Sequence, residues 1–536
     1  MDNDRPRVSV THEPGPIPLM SRGVDRRRFL TGAAALAGLT VATRMPSAAA
    51  QVEAGSPFTL GVASGEPAPH GFLLWTRLAR DPLNGGGMPN EPINVQWQVA
   101  TDEAFSNVVK QGTFTAKPAF AHSVHVAVSN LPSNRWFFYR FRAQGFISRT
   151  GRTRTMPGLG SSPRDMQFAF VSCQDYQAGY YHAYDNLAQE DLDLVVHLGD
   201  YTYEYGPEQA TSARLHSSDE VITLSDYRNR HAQYKTDLDL QEAHAAFPFV
   251  VTFDDHEVEN NYADEIPEEG SNTPSRDAFL RRRAAAYRAY YEHMPLRTSS
   301  LPKGPDMRLY RRSQFGNLAR FVVLDTRQYR TDQPCGDGIK DRCPEALAPS
   351  QTMTGPAQET WVKSELDNSK ALWNLIGQQT MLAEYDFQAG PGELFNMDQW
   401  DGYVAARNRL LGFLLQRRPS NPVVLTGDIH SSWVHDLKSD FDNPSSTTVG
   451  TEFVGTSITS DFPPPFIAPI EAARPDNPHT KFFDGTFSGY VVCDLNRTRM
   501  KVDFRIVGDV KEPAPQPATT LATFEVQNGR PGAERV

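Results

Sequence analysis

Three stretches of this chain decide its fold: Leu192-Asp-Leu-Val-Val-His-Leu-Gly-Asp200-Tyr-Thr-Tyr203, Phe249-Val-Val-Thr-Phe-Asp254-Asp255-His256-Glu257 and Pro422-Val-Val-Leu-Thr-Gly-Asp428-Ile-His430. Each begins as an apolar strand and ends in side chains that can bind metal ions. A fourth stretch, Phe168-Ala-Phe-Val-Ser-Cys173-Gln-Asp175, has the same form with a thiol as its first ligand. Strand ends are rigid, so several of them side by side can hold ligands with little loss of entropy. The pattern predicts a metal-dependent hydrolase.

The length and composition indicate a globular protein of more than one domain. A chain of 536 residues is too long for one ordinary core and predicts two or three domains. Hydrophobic residues make up 39% and charged residues 22%, as in ordinary soluble proteins. Because no apolar stretch reaches about 18 residues, a polytopic membrane protein is excluded and no integral span is expected in the mature chain.

Residues 1–50 are typical of a twin-arginine signal peptide. Arg26-Arg27-Arg28-Phe29-Leu30 precedes a short apolar run to Val41 and the small-residue stretch Ser47-Ala-Ala-Ala50, although Asp25 stands where Ser or Thr is usual. The alternative is a basic tail beside a buried helix. The signal predicts the twin-arginine export machinery as a partner and a secreted, periplasmic or cell-wall-associated location. That route carries folded cargo, so a metal could be loaded before export.

The net charge and the cysteines also agree with an exported protein that binds cations. The formal charge is −11, and the first 50 residues carry seven Arg and four acids, so the mature chain is near −14. This acidity gives no support to nucleic acid as a partner and suits a protein that gathers divalent cations. Cys335 and Cys343 lie in a Pro/Gly/Asp-rich loop and predict a disulfide in an oxidising compartment. Cys493 is typical of a buried strand, whereas Cys173 ends a strand without an obvious partner.

The pattern of elements changes along the chain. Residues 55–157 show short alternating strands and predict a small antiparallel β-sandwich. Residues 164–510 alternate continuous apolar strands with helical segments, such as Leu224–Ala246, and predict an α/β catalytic domain with two packed sheets. Residues 511–536 begin Pro-rich and predict a C-terminal strand or tail that could cover the active site.

The motifs differ in how strongly each one, taken alone, indicates a metal ligand. A single Gly-Asp pair such as Gly199-Asp200 is usually a turn, but Gly427-Asp428-Ile429-His430 repeats the pattern after a second apolar strand. Asp254-Asp255-His256-Glu257 could be a solvated loop. Hard cations, however, take several oxygen ligands, and His256 could protonate a departing alkoxide.

The mixed chemistry of these donors predicts two kinds of metal. Cys173 as thiolate, Tyr203 as phenolate and His430 as imidazole suit a transition metal, whereas carboxylates alone suit calcium, magnesium or manganese. A trivalent iron would keep both the thiolate and the phenolate deprotonated at neutral pH.

The ordered motifs resemble those of the PhoD-type alkaline phosphatase family. The likeness is carried by Asp200-Tyr-Thr-Tyr203, Asp254-Asp-His-Glu257, Gly427-Asp-Ile-His430, Tyr227-Arg-Asn-Arg-His-Ala-Gln-Tyr-Lys235, Gly61-Val-Ala-Ser-Gly-Glu66 and the signal peptide. It covers nearly the whole mature chain. The family also includes secreted phosphodiesterases with phospholipase D-like activity.

The resemblance implies an architecture and a set of site residues. The fold would be an N-terminal all-β Ig/fibronectin-like sandwich followed by a four-layer α/β/β/α calcineurin-like metallophosphoesterase domain. The cofactors would be Fe(3+) and Ca(2+), with zinc, manganese or magnesium as alternatives. Iron would be held by Cys173, Asp200, Tyr203 and His430, and calcium or bridging positions by Asp200, Asp254, Asp255 and Asp428. Arg228 and His231 would contact the phosphate, or would form a salt-bridged helix face.

The predicted function is hydrolysis of a phosphoester substrate, a monoester or a diester, through attack by a metal-activated oxygen. No Gly-x-Ser-x-Gly motif is present in the catalytic region, so no serine nucleophile is expected. One alternative is a phospholipase D-like phosphodiesterase acting at a phospholipid surface. Another, from a different class, is an exported metal- or ligand-binding protein without hydrolytic activity.

Overall fold

The computed structural model describes residues 53–536. The predicted signal peptide, residues 1–50, lies outside the described residues. Strands are numbered in chain order, and the N-terminal part of the chain contains these: β1 (Val62–Ala68), β2 (Gly71–Arg77), β3 (Ile93–Ala100), β4 (Val108–Ala116), β5 (Ser123–Val128), β6 (Trp136–Ala143), β7 (Phe146–Ile147) and β8 (Gly151–Arg154).

These eight strands form two packed layers. β1, β2 and β5 make one layer, and β3, β4, β6, β7 and β8 make the other. Alternate apolar side chains such as Phe72, Leu74, Val95 and Phe141 face inward and fill the space between the layers, as expected for a sheet with one buried face. The predicted sandwich is therefore present as a pair of packed sheets.

The sandwich is not closed off from the rest of the chain. β1 pairs in parallel with a strand of the catalytic region, with Ser64 opposite Pro248 and Gly65 opposite Phe249. Its first layer is thus the edge of a larger sheet, and residues 53–536 form one compact unit. The N-terminal strands thus keep a core of their own between their two layers while one layer continues into the larger sheet.

The remaining strands are β9 (Asp165–Val171), β10 (Leu194–His197), β11 (Pro248–Val251), β12 (Arg311–Phe315), β13 (Ala319–Val323), β14 (Ile339–Lys340), β15 (Trp373–Gly377), β16 (Phe395–Asn396), β17 (Pro422–Thr426), β18 (Ser432–Lys438), β19 (Thr448–Val454), β20 (Thr480–Asp484), β21 (Gly489–Asn496), β22 (Arg499–Ile506), β23 (Thr519–Gln527) and β24 (Arg530–Arg535).

Two mixed sheets contain most of them. The larger has the order β24-β23-β22-β21-β9-β10-β11-β1-β2-β5, with β9, β10, β11 and β1 parallel. The smaller has the order β12-β13-β15-β17-β19-β18-β20, with β13, β15, β17 and β19 parallel. β14 and β16 pair separately. The parallel strands are continuously apolar because both of their faces are covered.

The helices of the described chain are α1 (His182–Ala188), α2 (Leu224–Lys235), α3 (Leu238–Ala246), α4 (Arg276–His293), α5 (Gly355–Asp367), α6 (Val404–Arg417) and α7 (Ile467–Ala473). The single helix predicted over Leu224–Ala246 is wrong, because it is two helices. Asp237 lies between them in an extended conformation, and its carboxylate accepts hydrogen bonds from the backbone of Asp239 and Leu240. An aspartate in this position starts a new helix rather than continuing the old one.

The elements stack as helices, sheet, sheet and helices. Phe168 and Val196 of the larger sheet meet Phe321 and Leu425 of the smaller one in a shared core. Helices α1 to α4 cover the outer face of the larger sheet. Helices α5 and α6 cover the outer face of the smaller sheet. No helix within residues 53–536 has the length and apolarity needed to cross a membrane.

The chain's C-terminus forms a hairpin rather than a tail over the active site. β23 and β24 extend the larger sheet beyond β22. The last strand also contacts the smaller sheet, where Gly532 N–H donates to Thr451 Oγ1 at 3.0 Å and Ala533 N–H to Asp436 Oδ1 at 3.2 Å. Of the two alternatives predicted for residues 511–536, a strand or a tail, the strand is the one observed over Thr519–Gln527 and Arg530–Arg535. Their alternation of side chains completes a sheet edge.

Candidate active site and metal centre

The predicted ligand residues meet at one edge of the two sheets. Cys173, Asp200 and Asp254 follow the neighbouring parallel strands β9, β10 and β11, and Asp428 follows β17 of the facing sheet. The carboxyl ends of parallel strands open onto the same edge, which is where α/β proteins place their ligands. The strand-then-ligand pattern of the sequence thus becomes a single cluster, called the strand-end cluster below.

The backbone of this cluster is strained in a consistent way. Cys173, Asp200, Asp428 and His430 all have positive φ angles, between 54° and 66°. Each non-glycine residue in this region costs about 1–3 kcal/mol, and such residues concentrate at functional sites. Gly199, with φ of 122°, has no alternative, because an added Cβ would lie 2.4 Å from Asp254 Cβ. The sharp turn is what brings the two strand ends together.

Three overlapping sets of donor atoms lie within 4.8 Å of one another, and each could hold a metal ion. They are Cys173 with Asp200 and His430, Asp200 with Asp255 and His256, and Asp254 with Asp255 and Asp428. The first mixes sulfur, oxygen and nitrogen, and the third is all oxygen. Asp200 and Asp255 each belong to two sets, so the sets are contiguous.

Three buried carboxylate oxygens in this cluster accept no hydrogen bond: Asp200 Oδ1, Asp254 Oδ2 and Asp255 Oδ1. A buried acceptor without a donor costs about 1–3 kcal/mol, and more when it is charged. Each of these residues belongs to at least one of the donor sets above, and a bound cation would supply the partner that its oxygen lacks. The residues present therefore fit bound metal ions.

Tyr203 contacts two members of the donor set that mixes sulfur, oxygen and nitrogen, Asp200 and His430. Its hydroxyl donates to Asp200 Oδ2 at 3.1 Å, accepts from Ser460 Oγ at 2.7 Å and lies 3.2 Å from His430 Nε2. Burial, followed by the charge of Asp200, raises the pKa of Tyr203 and of the Cys173 thiol well above their usual values. Only a strongly charged cation close to both groups would deprotonate them.

His256 borders both the cluster and the open cavity. Its Nδ1 donates to Glu204 Oε2 at 2.8 Å, and its ring stacks on Tyr203 with 4.2 Å between centroids. Burial alone would lower the pKa of His256, but the carboxylates of Glu204, Asp255 and Asp200 raise it well above its usual value. The imidazole is thus held as a proton donor beside the ligands.

Sequence reasoning missed the role of Glu257. Its fully buried carboxylate accepts the backbone N–H groups of Asp200 at 3.1 Å, Tyr201 at 2.7 Å and Asp254 at 2.8 Å. Glu257 therefore ties two ligand-bearing strand ends together. The sequence places Glu257 in a ligand-rich motif. It does not show whether the side chain binds a metal or holds the backbone of the residues that do.

Arg327 was also missed. Its guanidinium pairs with Asp254 and Asp428, with Asp398 at 2.8 Å and with Asp255 at 3.5 Å. Burial raises the pKa of Asp254 well above its usual range and that of Asp428 to about 6, although Arg327 opposes both shifts. A signal existed, because Arg327 follows the apolar run Phe321–Leu324 as the other site residues follow their strands.

Two predicted phosphate contacts lie elsewhere. Arg228 pairs with the buried Glu292 at 2.7 Å and donates to the carbonyl of Ala119. His231 is fully buried and stacks on His293 with 5.0 Å between centroids. Neither residue lines the cavity at the strand-end cluster, and for Arg228 the salt-bridged helix face is the arrangement observed.

A cavity of about 290 Å³ opens beside the strand-end cluster. Its floor includes Asp200, Asp255, His256, Asp428 and His430. Its walls include a polar side with Asn260, Asn261, Asp337 and Gln399, and an apolar side with Met381, Phe387, Trp433, Phe462, Phe466 and Ile470. No Lys or Arg is among the lining residues of the described chain.

Two mixed sheets thus bring carboxylates, a thiol and imidazoles that could hold cations to one edge beside a cavity. The family model described as PhoD-like phosphatase matches residues 168–504, and that of its N-terminal domain matches residues 43–157. The chain belongs to the PhoD-like phosphatase family.

Individual relatives agree with this assignment. Alkaline phosphatase D of Bacillus subtilis (strain 168) is 49% identical over 524 residues, which cover 96% of this chain and 89% of that protein. A solved structure described as the structure of PhoD matches with a TM-score of 0.86 and 49% identity, covering 91% of this chain and 93% of the other. The chain is therefore a phosphoester hydrolase, and the alternative of a binding protein without activity is set aside.

Proposed function

We propose that the chain is an exported, metal-dependent phosphoesterase that prefers phosphodiesters with an apolar organic group. The observation that carries the metal dependence is the presence, in contiguous donor sets beside a cavity, of three buried carboxylate oxygens without a hydrogen-bond donor, on Asp200, Asp254 and Asp255. The observation that carries the substrate preference is the apolar wall of the same cavity.

The donor chemistry supports a division between two metals. Cys173, Asp200, Tyr203 and His430 would hold a ferric ion, because sulfur, phenol and imidazole suit a transition metal. The remaining oxygen donors, Asp254, Asp255 and Asp428 together with Asp200, would hold calcium or bridge the two sites. Zinc, manganese or magnesium are the alternatives. When bound, the ions would neutralise phosphate charge and supply an activated oxygen nucleophile.

The protein's own residues would orient the substrate and move a proton. His256, held by Glu204 through Nδ1, presents its opposite nitrogen, Nε2, as the donor to a departing alkoxide. Asp200 is kept in its left-handed conformation by Glu257. Arg327 balances part of the charge of the carboxylates without lining the cavity.

The cavity favours a diester over a monoester. A monoester carries about two negative charges at neutral pH, yet the described lining contains no Lys or Arg to match the second charge. A diester carries one charge and has a second organic group. That group could pack against Trp433, Phe462 and Ile470, which are apolar and close the side of the cavity next to His430.

A phospholipid headgroup ester is a second candidate substrate. Phe466 and Ile339 line the cavity and are 46% and 37% exposed, so apolar side chains continue from the cavity to the surface. Exposed aromatic residues at the mouth of a site suit contact with a lipid surface. This substrate would need the phospholipid surface named above as a partner.

The sequence also supports export through the twin-arginine pathway, with residues 1–50 as the signal. The disulfide predicted for an oxidising compartment is present between Cys335 and Cys343, with 5.7 Å between their Cα atoms. By its layers, the catalytic region would be calcineurin-like, and the N-terminal strands would form an Ig/fibronectin-like sandwich.

The test compares rates on a phosphomonoester, a bis-ester and phosphatidylcholine with one metal-loaded preparation. We expect the bis-ester to be hydrolysed fastest per enzyme and a chelator to abolish all rates. His256→Ala should slow alkyl esters far more than esters of acidic phenols, which leave without a proton. Equal losses on both would remove His256 from the proton-transfer role, and activity that survives full metal removal would contradict the proposal.

A further inference from the structure

Part of the cavity lining belongs to a loop closed by a disulfide. The loop lies between Cys335 and Cys343, and three of its residues, Asp337, Gly338 and Ile339, line the cavity. The sequence predicted the disulfide but gave it no connection to the site. Its position makes it part of the substrate-binding wall.

The disulfide acts together with other contacts of the loop, among them the ion pair of Arg342 with Glu384 at 2.8 Å and the packing of Arg342 over Phe395. Cys335, Gly336 and Gly338 all have positive φ angles, and only two residue pairs join β14 to β16. Further support comes from single hydrogen bonds, such as that from Met397 N–H to the carbonyl of Gly338 at 3.0 Å. Closing a short loop by a covalent bond removes many of its alternative conformations.

This geometry fixes Asp337 at the cavity. The backbone N–H of Gly338 donates to Asp337 Oδ1 at 2.6 Å, and Asn261 Nδ2 donates to Asp337 Oδ2 at 2.5 Å. Asn261 also donates its backbone N–H to Asp255 Oδ2 at 2.6 Å. One residue therefore spans the distance between Asp337 and a member of the strand-end cluster.

The charge of Asp337 is not neutralised by these partners, because Asn261 and Gly338 are both uncharged. Asp337 is an exposed residue, but neighbouring groups partly desolvate its carboxylate, which lines the cavity and lies near the charges of Asp398 and Arg330. Across a solvated cavity, a carboxylate and a doubly charged phosphate repel by about 1 kcal/mol, and a singly charged phosphate by about half as much. A substrate with an additional negative charge therefore binds less well beside Asp337.

We propose that Asp337, held by the disulfide-closed loop, is a residue that determines specificity by disfavouring doubly charged phosphomonoesters. This inference rests on the proposed function, because it assigns the charge selection of that site to one side chain. Asp337 contacts no reacting group. It acts through the electrostatic potential of the cavity.

The test uses Asp337→Asn in the full-length, metal-loaded enzyme, with Asp341→Asn as the matched control. Asp341 is an exposed aspartate of the same disulfide loop that does not line the cavity. The Asp337→Asn substitution would preserve the size of the side chain, and Asn261 could turn its carbonyl oxygen toward the new amide. Because burial and then Asp398 raise the pKa of Asp337, the assays are run at about pH 9, where the carboxyl is ionised.

We expect Asp337→Asn to raise kcat/KM for para-nitrophenyl phosphate about fivefold, through a lower KM. For bis(para-nitrophenyl) phosphate, which carries one charge rather than two, we expect a rise of only about twofold, because the repulsion from Asp337 is half as large. Inhibition by inorganic phosphate, a dianion without any leaving group, should strengthen by a factor similar to that for the monoester. Asp341→Asn should change none of these.

A second variant tests the loop. In a Cys335→Ser/Cys343→Ser background, Asp337→Asn should have less than half its effect on the monoester, because the carboxylate is no longer held at the wall. Equal effects of Asp337→Asn on both esters, or an equal effect of Asp341→Asn, would overturn the inference and leave the proposed function intact. A metal-loaded wild type that hydrolyses neither ester would overturn the proposed function itself, and the inference with it.

Discussion

Among the buried polar clusters of residues 53–536, two that are rich in titratable groups differ in one respect: one borders the cavity described above and the other does not. The strand-end cluster contains mostly acids, has three carboxylate oxygens without a donor, and is open to the cavity. The second, called the arginine–histidine cluster, consists of Arg77, His231, Lys235 and His293 between β2, α2 and α4. It is equally rich in titratable groups but is fully enclosed.

The physical states of the two clusters differ accordingly. In the arginine–histidine cluster, burial lowers the pKa of His231 to about 3 and that of Lys235 to about 7, so the bases lose their protons. Arg77 contacts His293 Nε2 at 2.7 Å, and Lys235 Nζ donates to the Tyr201 hydroxyl at 2.9 Å. In the strand-end cluster, by contrast, several carboxylates lie close together, and three of their oxygens have no hydrogen-bond donor. A bound cation would satisfy them. Reactive residue types are thus not enough to identify a site.

The largest effect should come from the residue shared by two ligand sets. Asp200→Asn removes one charge and one metal-binding oxygen, and loss of metal assistance is worth several kcal/mol, or about 1,000-fold in kcat/KM. The assay is hydrolysis of a bis-ester after reconstitution with metals. Asp165→Asn, at the exposed start of β9, is the control. A loss of less than tenfold in the Asp200 variant would place the catalytic centre elsewhere.

A smaller loss should follow from displacing the same strand end. In Gly199→Ala the new Cβ would meet Asp254 at 2.4 Å, and ligand displacements of about 1 Å cost about 100-fold in rate. Metal content and kcat/KM should fall together. Gly158→Ala, where an added Cβ meets nothing within 4 Å, should keep both. Full metal content in Gly199→Ala would show that the turn is not under steric pressure.

Arg228 should matter for stability and not for catalysis. Arg228→Met leaves the buried Glu292 with Arg288 alone, and loss of one partner of a buried ion pair that keeps a second should cost about 2 kcal/mol. Urea unfolding measures this change, and kcat/KM per folded molecule should stay unchanged. A rise in KM at unchanged stability would instead restore Arg228 as a phosphate contact.

The last prediction concerns the dependence of stability on pH. The pKa of Lys235 is lowered to about 7 by burial, so between this value and the usual value near 10.4 the unfolded chain binds the additional proton. Stability contributed by this group therefore rises with pH, by up to about 1.4 kcal/mol per unit. The advantage of Lys235→Met over the wild type in free energy of unfolding should be largest near neutral pH and shrink as the pH rises. An advantage that is constant with pH would show that Lys235 is charged inside the protein.

The sequence predicted best what depends on neighbouring residues. Cys173, Asp200, Asp254 and Asp428 could be found because strand, turn and ligand follow each other within a few positions. The disulfide was predictable for the same reason, since Cys335 and Cys343 share one loop.

The features that the sequence did not predict depend mostly on contacts between distant segments. The parallel pairing of β1 with β11, which joins the sandwich to the catalytic sheet, links residues about 184 positions apart and leaves no local pattern. The partners of Arg327 come from three separate loops. The break at Asp237 had a local signal, the helix-capping residue, which the apolar pattern around it outweighed.

The central claim is that the strand-end cluster binds the metals that the enzyme needs. The most direct measurement is the elemental content per chain of the wild type and of Asp200→Asn, purified in parallel. The account predicts iron and calcium in the wild type and a loss of both in the variant, because Asp200 belongs to both metal sites. Equal metal content in the two proteins, or no metal in an active wild type, would contradict it.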